Sequence, residues 1–312
     1  MEIIEVSRKE FNNIILDPYH IFGHGNFADL NKDKVGSIHY LLFKDGKYRF
    51  GLTSGIRNNS LQSPFSSPYG GFVFLRDNVK FEYFDKAVLA LIDWANSKCL
   101  TSINITLPPT LYHESFISKQ TNVLFRSRFE IKKVEMNYAL NLLEFEENYI
   151  SKIWRNARRN LKIAISSNLL FKRCISLEEK KTAYNIITLN RKFRGFPLKM
   201  SWKEIEETSN IVPIDFFMLS NSKHQCIASA IAFHVSNNVV QIIYWGDLHE
   251  FARLKTMNYL AYKIFEFYKQ QGVKVVDLGP ATENSIPNLG LCDFKESIGC
   301  DITMKYSFKL NL

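Results

Sequence analysis

Two stretches of this chain pass through the same elements in the same order. In the first, apolar residues 84, 88, 91, 92 and 95 keep helical spacing over residues 81–97, and a short polar turn leads to an apolar strand at 103–107 closed by Pro108 and Pro109. In the second, a helix over 256–271 stops at Gly272 and a strand at 274–278 is closed by Gly279 and Pro280. Such an echo predicts two copies of one α/β unit. The 312 residues suffice for two domains of ordinary size. The joint falls near residues 132–136, so the expected division is 1–134 and 135–312.

Around this repeat the local signals are clear. Ser7 with Glu10, and Ser201 with Glu204, have capping-box spacing. Residues 39–43 and 48–52 flank Asp45-Gly46 as a hairpin, and 63–72 form a turn-rich loop. A strand at 135–143 precedes a helix with Ile150, Ile153, Trp154, Ala157, Leu161 and Ala164 on one face and Arg155, Arg158, Arg159 and Lys162 on the other. A helix follows at 177–194, then strands at 214–219, 226–235 and 239–245 with tight turns between them.

Lys and Arg number 40 against 31 Asp and Glu, and the resulting charge of +9 favours an anionic partner. Apolar runs such as 87–92 are short and bounded by charge, well below the roughly 20 residues that cross a bilayer. No transmembrane segment is expected, and the first eight residues lack a signal-peptide pattern, which places the chain in the cytoplasm as an expectation. Five scattered cysteines read as reduced structural thiols. Residues 29–40 imitate a calcium loop but carry Lys34 and Tyr40 where Gly and Glu are needed, and His20 with His24 lacks a third ligand, so no metal is expected. P-loop, nucleophile-elbow and dinucleotide fingerprints do not occur.

The remaining candidates cluster in the second half. The Arg155, Arg158, Arg159, Lys162 face suits phosphate or, equally, plain solvation. Residues 190–197 form a basic loop after a helix, with Arg194 at its centre. Trp245 and Asp247 end a strand where a sheet presents groups to a cleft. Lys295, between Phe294 and Ile298, is a candidate donor to a developing oxyanion if desolvated, and otherwise a surface lysine.

Taken in order, residues 67–71 (Ser-Pro-Tyr-Gly-Gly), 154–162, 244–247, Met257-Asn258, 277–280 (Asp-Leu-Gly-Pro) and 288–295 ending in Phe294-Lys295, with Gly299, resemble the FemABX-like branch of the GNAT acyltransferases. The resemblance implies an α/β fold of two tandem GNAT-like domains, each a mixed, mostly antiparallel sheet flanked by helices. It implies transfer of an acyl or aminoacyl group to an amine of a peptidoglycan or polysaccharide precursor, which can be a sugar nucleotide. It assigns carbonyl stabilisation to Lys295 and makes Arg155 and Arg159 candidate phosphate partners; Tyr69, Gly70, Arg194, Trp245, Asn258, Thr282 and Phe294 complete the candidate substrate contacts.

Two departures bear on the donor. Where GNAT proteins carry a Gly-rich pyrophosphate loop, this chain reads Arg253-Leu254-Lys255-Thr256, so Arg253 and Lys255 are the remaining candidates to meet a coenzyme A anion. No heptad-rich arm of the kind seen in some tRNA-dependent members is present. Acyl-CoA and aminoacyl-tRNA both stay open as co-substrates, tRNA being then a partner, and no resident cofactor is expected. The expected mechanism is direct attack of the acceptor amine on the donor carbonyl, with Asp247, the substrate itself or water as base. The competing reading is a noncatalytic GNAT-like module holding RNA or an anionic polysaccharide, and a third is a degenerate scaffold whose cleft is filled by aromatic side chains.

Overall fold

A computed structural model describes residues 1–76, 78–196 and 198–312, with 144 and 146–148 described in their backbone alone. Pro197, the end of the basic loop, lies outside these residues. The first half contains β1 (Glu2–Val6), α1 (Arg8–Ile14), α2 (Gly25–Leu30), β2 (Ser37–Asp45), β3 (Lys47–Arg57), β4 (Ser60–Ser63), β5 (Val73–Phe74), α3 (Phe81–Ser97), β6 (Ser102–Thr106) and α4 (Glu114–Arg126). Next come β7 (Glu130–Asn141), α5 (Phe145–Lys152), α6 (Arg155–Ser166), β8 (Leu170–Arg173), α7 (Leu177–Phe193) and α8 (Trp202–Ser209). The chain continues through β9 (Ile214–Ser220), β10 (Cys226–His234), β11 (Val239–Asp247), α9 (Thr256–Gln270) and β12 (Val275–Pro280). It ends with β13 (Thr282–Glu283), β14 (Ile286–Pro287), α10 (Leu289–Ser297) and β15 (Asp301–Asn311).

Both expected capping boxes form, at α1 and α8, and a third from Ser176 and Glu179 opens α7. The β2–β3 hairpin turns at Gly46, whose φ of +67° is one that glycine adopts without a Cβ penalty.

Contacts divide the chain into unit 1 (Met1–Met136, Thr282–Ile286, Thr303–Leu312) and unit 2 (Asn137–Ala281, Pro287–Ile302). The sheet of unit 1 has the order β1-β2-β3-β4-β6-β15, with β5 beside β3. That of unit 2 has the order β8-β9-β10-β11-β12-β7. In each order four successive strands run antiparallel, the fifth lies parallel to the fourth, and the sixth is antiparallel again. The parallel pairs β4/β6 and β11/β12 are each joined through a helix, α3 or α9, because a parallel connection must travel back along the sheet. The sequence echo is therefore a repeat of topology.

The closing strands are exchanged along the chain. The strand after α4 delivers residues 137–141 to the edge of β12, and the strand after α10 delivers 307–311 to the edge of β6. This corrects the linear division at 134/135. Residues 303–312 belong to unit 1 because the main-chain groups of β6 need a partner and β15 supplies it. Phe50, Phe72, Phe84 and Phe116 fill the centre of unit 1, each at most 1% exposed, while Phe217, Phe265, Tyr138 and Tyr268 do so in unit 2.

Candidate active site

The parallel pair β11/β12 is in register only at Val239↔Val275, Val240↔Val276 and Gln241↔Asp277. Beyond that point β11 runs on to Asp247 and β12 to Pro280 without pairing each other, so the sheet of unit 2 opens between them. Asp277 sits where they part. Its buried carboxylate accepts from Asn137 Nδ2 of β7 at 2.8 Å, Gln241 Nε2 of β11 at 2.9 Å and the Gly279 N–H at 2.8 Å. Three donors satisfy a charge that would be costly to bury alone. Gly279, at φ +72°, makes the turn back toward that carboxylate, and the register with β7 skips between Asp277 and Gly279.

Lys295 reaches the β12 side of this opening from α10, a helix capped by the Asn288 side chain on the Leu291 N–H. Its ammonium donates to the carbonyls of Leu278, Gly279 and Pro280 at 2.8, 2.9 and 3.0 Å. It is 2% exposed and lies 5.5 Å from the centre of the Tyr138 ring. Burial pulls its pKa down to about 8, against the opposing influence of Cys300 and Asp277. The lysine thus faces inward, and its three N–H bonds already have carbonyl partners, which differs from the free donor expected from sequence. Tyr138 in turn donates to Glu296 at 3.1 Å, and burial drives the Tyr138 phenol pKa upward.

Asp247 closes the β11 side. Its carboxylate accepts from the Thr256 hydroxyl, and its carbonyl accepts from Asn190 Nδ2 at 2.7 Å. A Cβ on the preceding Gly246 would lie 2.5 Å from Asn190 Cγ, so only glycine fits between β11 and α7 there. Asp247, 8% exposed, ties the strand end to the first turn of α9, so the carboxylate read as a candidate base is engaged by Thr256. A carboxylate at that helix start is also favoured by the helix dipole.

Of the other candidates, Trp245 and Phe294 meet edge to face at 5.7 Å, each half-buried. Asn258 is buried in the first turn of α9, Arg253 is exposed, and Lys255 caps α9 in a left-handed conformation at φ +56°. Arg155 and Arg159 stand exposed on α6 with Arg158 and Lys162 and make no ion pair among the described residues. The Trp154 N–H that opens α6 bonds to the Ser297 carbonyl of α10, which sets Arg155 near the end of the helix carrying Lys295. Arg194 caps α7 and is exposed, next to Phe193, whose ring stacks on His249 at 4.5 Å.

Three candidates belong to unit 1 and are occupied structurally. Tyr69, 1% exposed, packs against His20, Phe22 and Tyr112. Gly70 lies against Ser63 and Pro64, where a Cβ would come within 2.7 Å of the Ser63 hydroxyl. Thr282 accepts from the Met136 N–H at 3.0 Å. The Tyr69 ring is thus part of the aromatic core of unit 1, and Thr282 is half-buried with its hydroxyl on a backbone N–H. Asn137, Gln241 and Tyr138 escape the sequence reading, and Asn190 enters it only as the start of the basic loop. The one local signal is an isolated amide in an otherwise apolar strand, as at Gln241.

No family model and no curated protein matches this chain. Its fold is shared with solved structures. FemX is 13% identical with a TM-score of 0.72, over 100% of this chain and 98% of that one. The carboxyl-terminal domain of a protein assigned as a lysylphosphatidylglycerol synthetase from Agrobacterium fabrum is 14% identical with a TM-score of 0.62, over 98% and 93%. A tandem GNAT protein from the clavulanic acid biosynthesis pathway is 8% identical with a TM-score of 0.52, over 99% and 98%. The chain therefore shares with these structures the fold of two tandem GNAT-like units.

Proposed function

We propose that this protein transfers an acyl or aminoacyl group to an amine of a cell-envelope component, at the opening between β11 and β12. The observation that carries the reading is the buried Lys295 ammonium at the mouth of two diverging parallel strands. There a donor carbonyl meets a fixed positive charge. The contact with Pro280 is the longest of the three and the only one not fully buried, so this N–H is the one that turns to a developing oxyanion. Leu278 and Gly279 keep the ammonium in place meanwhile. The acceptor amine attacks the carbonyl carbon directly, the donor's alcohol or thiol departs, and the ammonium proton passes to solvent or to the leaving group. The names of FemX and of the lysylphosphatidylglycerol synthetases support an envelope acceptor.

The start of α9 speaks against coenzyme A in the usual GNAT pose. The start of α9 holds the Asp247 carboxylate on Thr256, and no glycine opens the backbone to a pyrophosphate. An aminoacyl ester of tRNA is the better donor, and the cations of α6, which make no ion pair among the described residues, suit a nucleic-acid strand together with the exposed Phe193 and Phe196. Incubation with pooled aminoacyl-tRNAs, pooled acyl-CoAs and amine-bearing envelope intermediates, followed by mass measurement of the acceptors, tests the proposal. One acyl increment on an acceptor amine, with the tRNA pool, is expected. No increment from any donor pool would refute transfer and leave RNA binding by α6 as the function to pursue.

A further inference from the structure

Unit 1 carries a second constellation, remote in sequence from Lys295. Ser37 and His39 alternate along β2, so both side chains stand on one face of the strand. Glu5 of β1 pairs with Leu41 and is therefore diagonal to His39 on that face. Ser37 Oγ lies 2.8 Å from His39 Nε2, and His39 Nδ1 lies 2.5 Å from Glu5 Oε1. The connectivity is hydroxyl, ring nitrogen, opposite ring nitrogen, carboxylate, which is the order that activates a serine nucleophile. The imidazole is held in place by the edge of Trp94 at 5.3 Å, and its side chain is 12% exposed. Lys98, above the Trp94 ring, reaches the other Glu5 oxygen at 3.4 Å. Burial works against the charge on Glu5, but His39 and Lys98 outweigh it and hold the carboxyl below the usual range, so it remains an anion at neutral pH. Ser37 itself is exposed and open to a reagent.

We propose that Ser37, His39 and Glu5 form a nucleophilic site that cleaves small carboxylic esters through an acyl-serine. Glu5 fixes the proton on Nδ1 and leaves the Nε2 lone pair facing Ser37. The Ser37 oxygen bonds to the ester carbonyl carbon as its proton moves to Nε2. That proton goes to the departing alkoxide as the C–O bond breaks, releasing the alcohol. Water then attacks the acyl-serine, gives its proton to Nε2, and the acid leaves as that proton returns to Ser37. The neighbouring Gly36 N–H is committed to the Ile56 carbonyl at 2.9 Å. Acceleration accordingly comes from base activation, roughly 100-fold or more, and turnover is slow.

The test is reaction of the full chain with a fluorophosphonate, read by intact mass and peptide mapping. The expected result is one adduct on Ser37. Its formation should be slowed roughly 100-fold or more by His39→Gln, slowed less by Glu5→Gln and abolished by Ser37→Ala, with parallel changes in p-nitrophenyl acetate hydrolysis. Ser37 and Glu5 are surface residues, so their variants report even if His39→Gln folds poorly. No adduct at Ser37, or an adduct formed equally fast in the Glu5 and His39 variants, would overturn the proposal. Mapping of the adduct to Ser37 keeps this reactivity distinguishable from the transfer site at Lys295.

Discussion

Replacing Lys295 by Met keeps the volume of the side chain and removes its charge. The three carbonyls at 278–280 then lose their donor. Even at about 1 kcal/mol for each buried carbonyl left unmatched, the variant should be about 3 kcal/mol less stable at pH 7. The pH dependence is more specific. The native lysine gives up its proton near pH 8, whereas a free lysine does so near 10.5. Between these values the unfolded chain holds the extra proton, so raising the pH stabilises the native wild type through this residue, a gain the methionine variant lacks. At about 1.4 kcal/mol per pH unit, the gap should widen by about 2–3 kcal/mol between pH 7 and pH 10. Urea unfolding of both proteins at the two pH values reads the gap, and all other titrating groups cancel in the difference. A gap that stays constant or narrows as pH rises would refute the buried, carbonyl-held ammonium.

Phe308→Ala, in the last strand of the chain, should cost about 3–5 kcal/mol and lower hydrogen-exchange protection at residues 102–106 of unit 1 before residues 137–141 of unit 2, since Phe308 is 1% exposed and pairs with Ile105. His20 is fully buried, its ring nitrogens have no partner among the described residues, and burial lowers its pKa to about 3. The wild type should therefore lose up to about 5 kcal/mol as pH falls from 6.5 to 3, a loss that His20→Phe removes in acid-unfolding curves. Asp215 accepts from Arg173 and Tyr268 and is paired with His234, and although burial opposes its charge these contacts hold its pKa below the usual value. Asp215→Asn should lower the melting temperature at pH 7, with the difference shrinking once pH drops below about 4. Asp247→Asn should reduce transfer without moving the pH profile of kcat, because the Asp247 carboxylate holds the start of α9 through Thr256.

The helices and the second-half strands are legible in the sequence because their apolar spacing and caps are local. The bounds of α3 and the capping boxes of α1 and α8 follow from residues within one or two turns. The strand exchange is not legible, since which sheet edge β7 and β15 complete depends on partners more than a hundred residues away. Lys295 stands out by its neighbours Phe294 and Ile298, yet its role requires three carbonyls that only the bend at Gly279 brings together. Asp247 reads as an exposed strand end until Thr256 and Asn190, each from another element, close over it. Tyr69 misleads for a different reason: a Tyr-Gly-Gly loop has the composition of a ligand loop, but here its ring completes an aromatic core.

The rate of acyl transfer to an acceptor amine in Lys295→Met, measured against the wild type at a temperature where circular dichroism shows both folded, bears most directly on the transfer site. A fall in kcat of roughly 100-fold or more is predicted. Turnover equal to the wild type would contradict it.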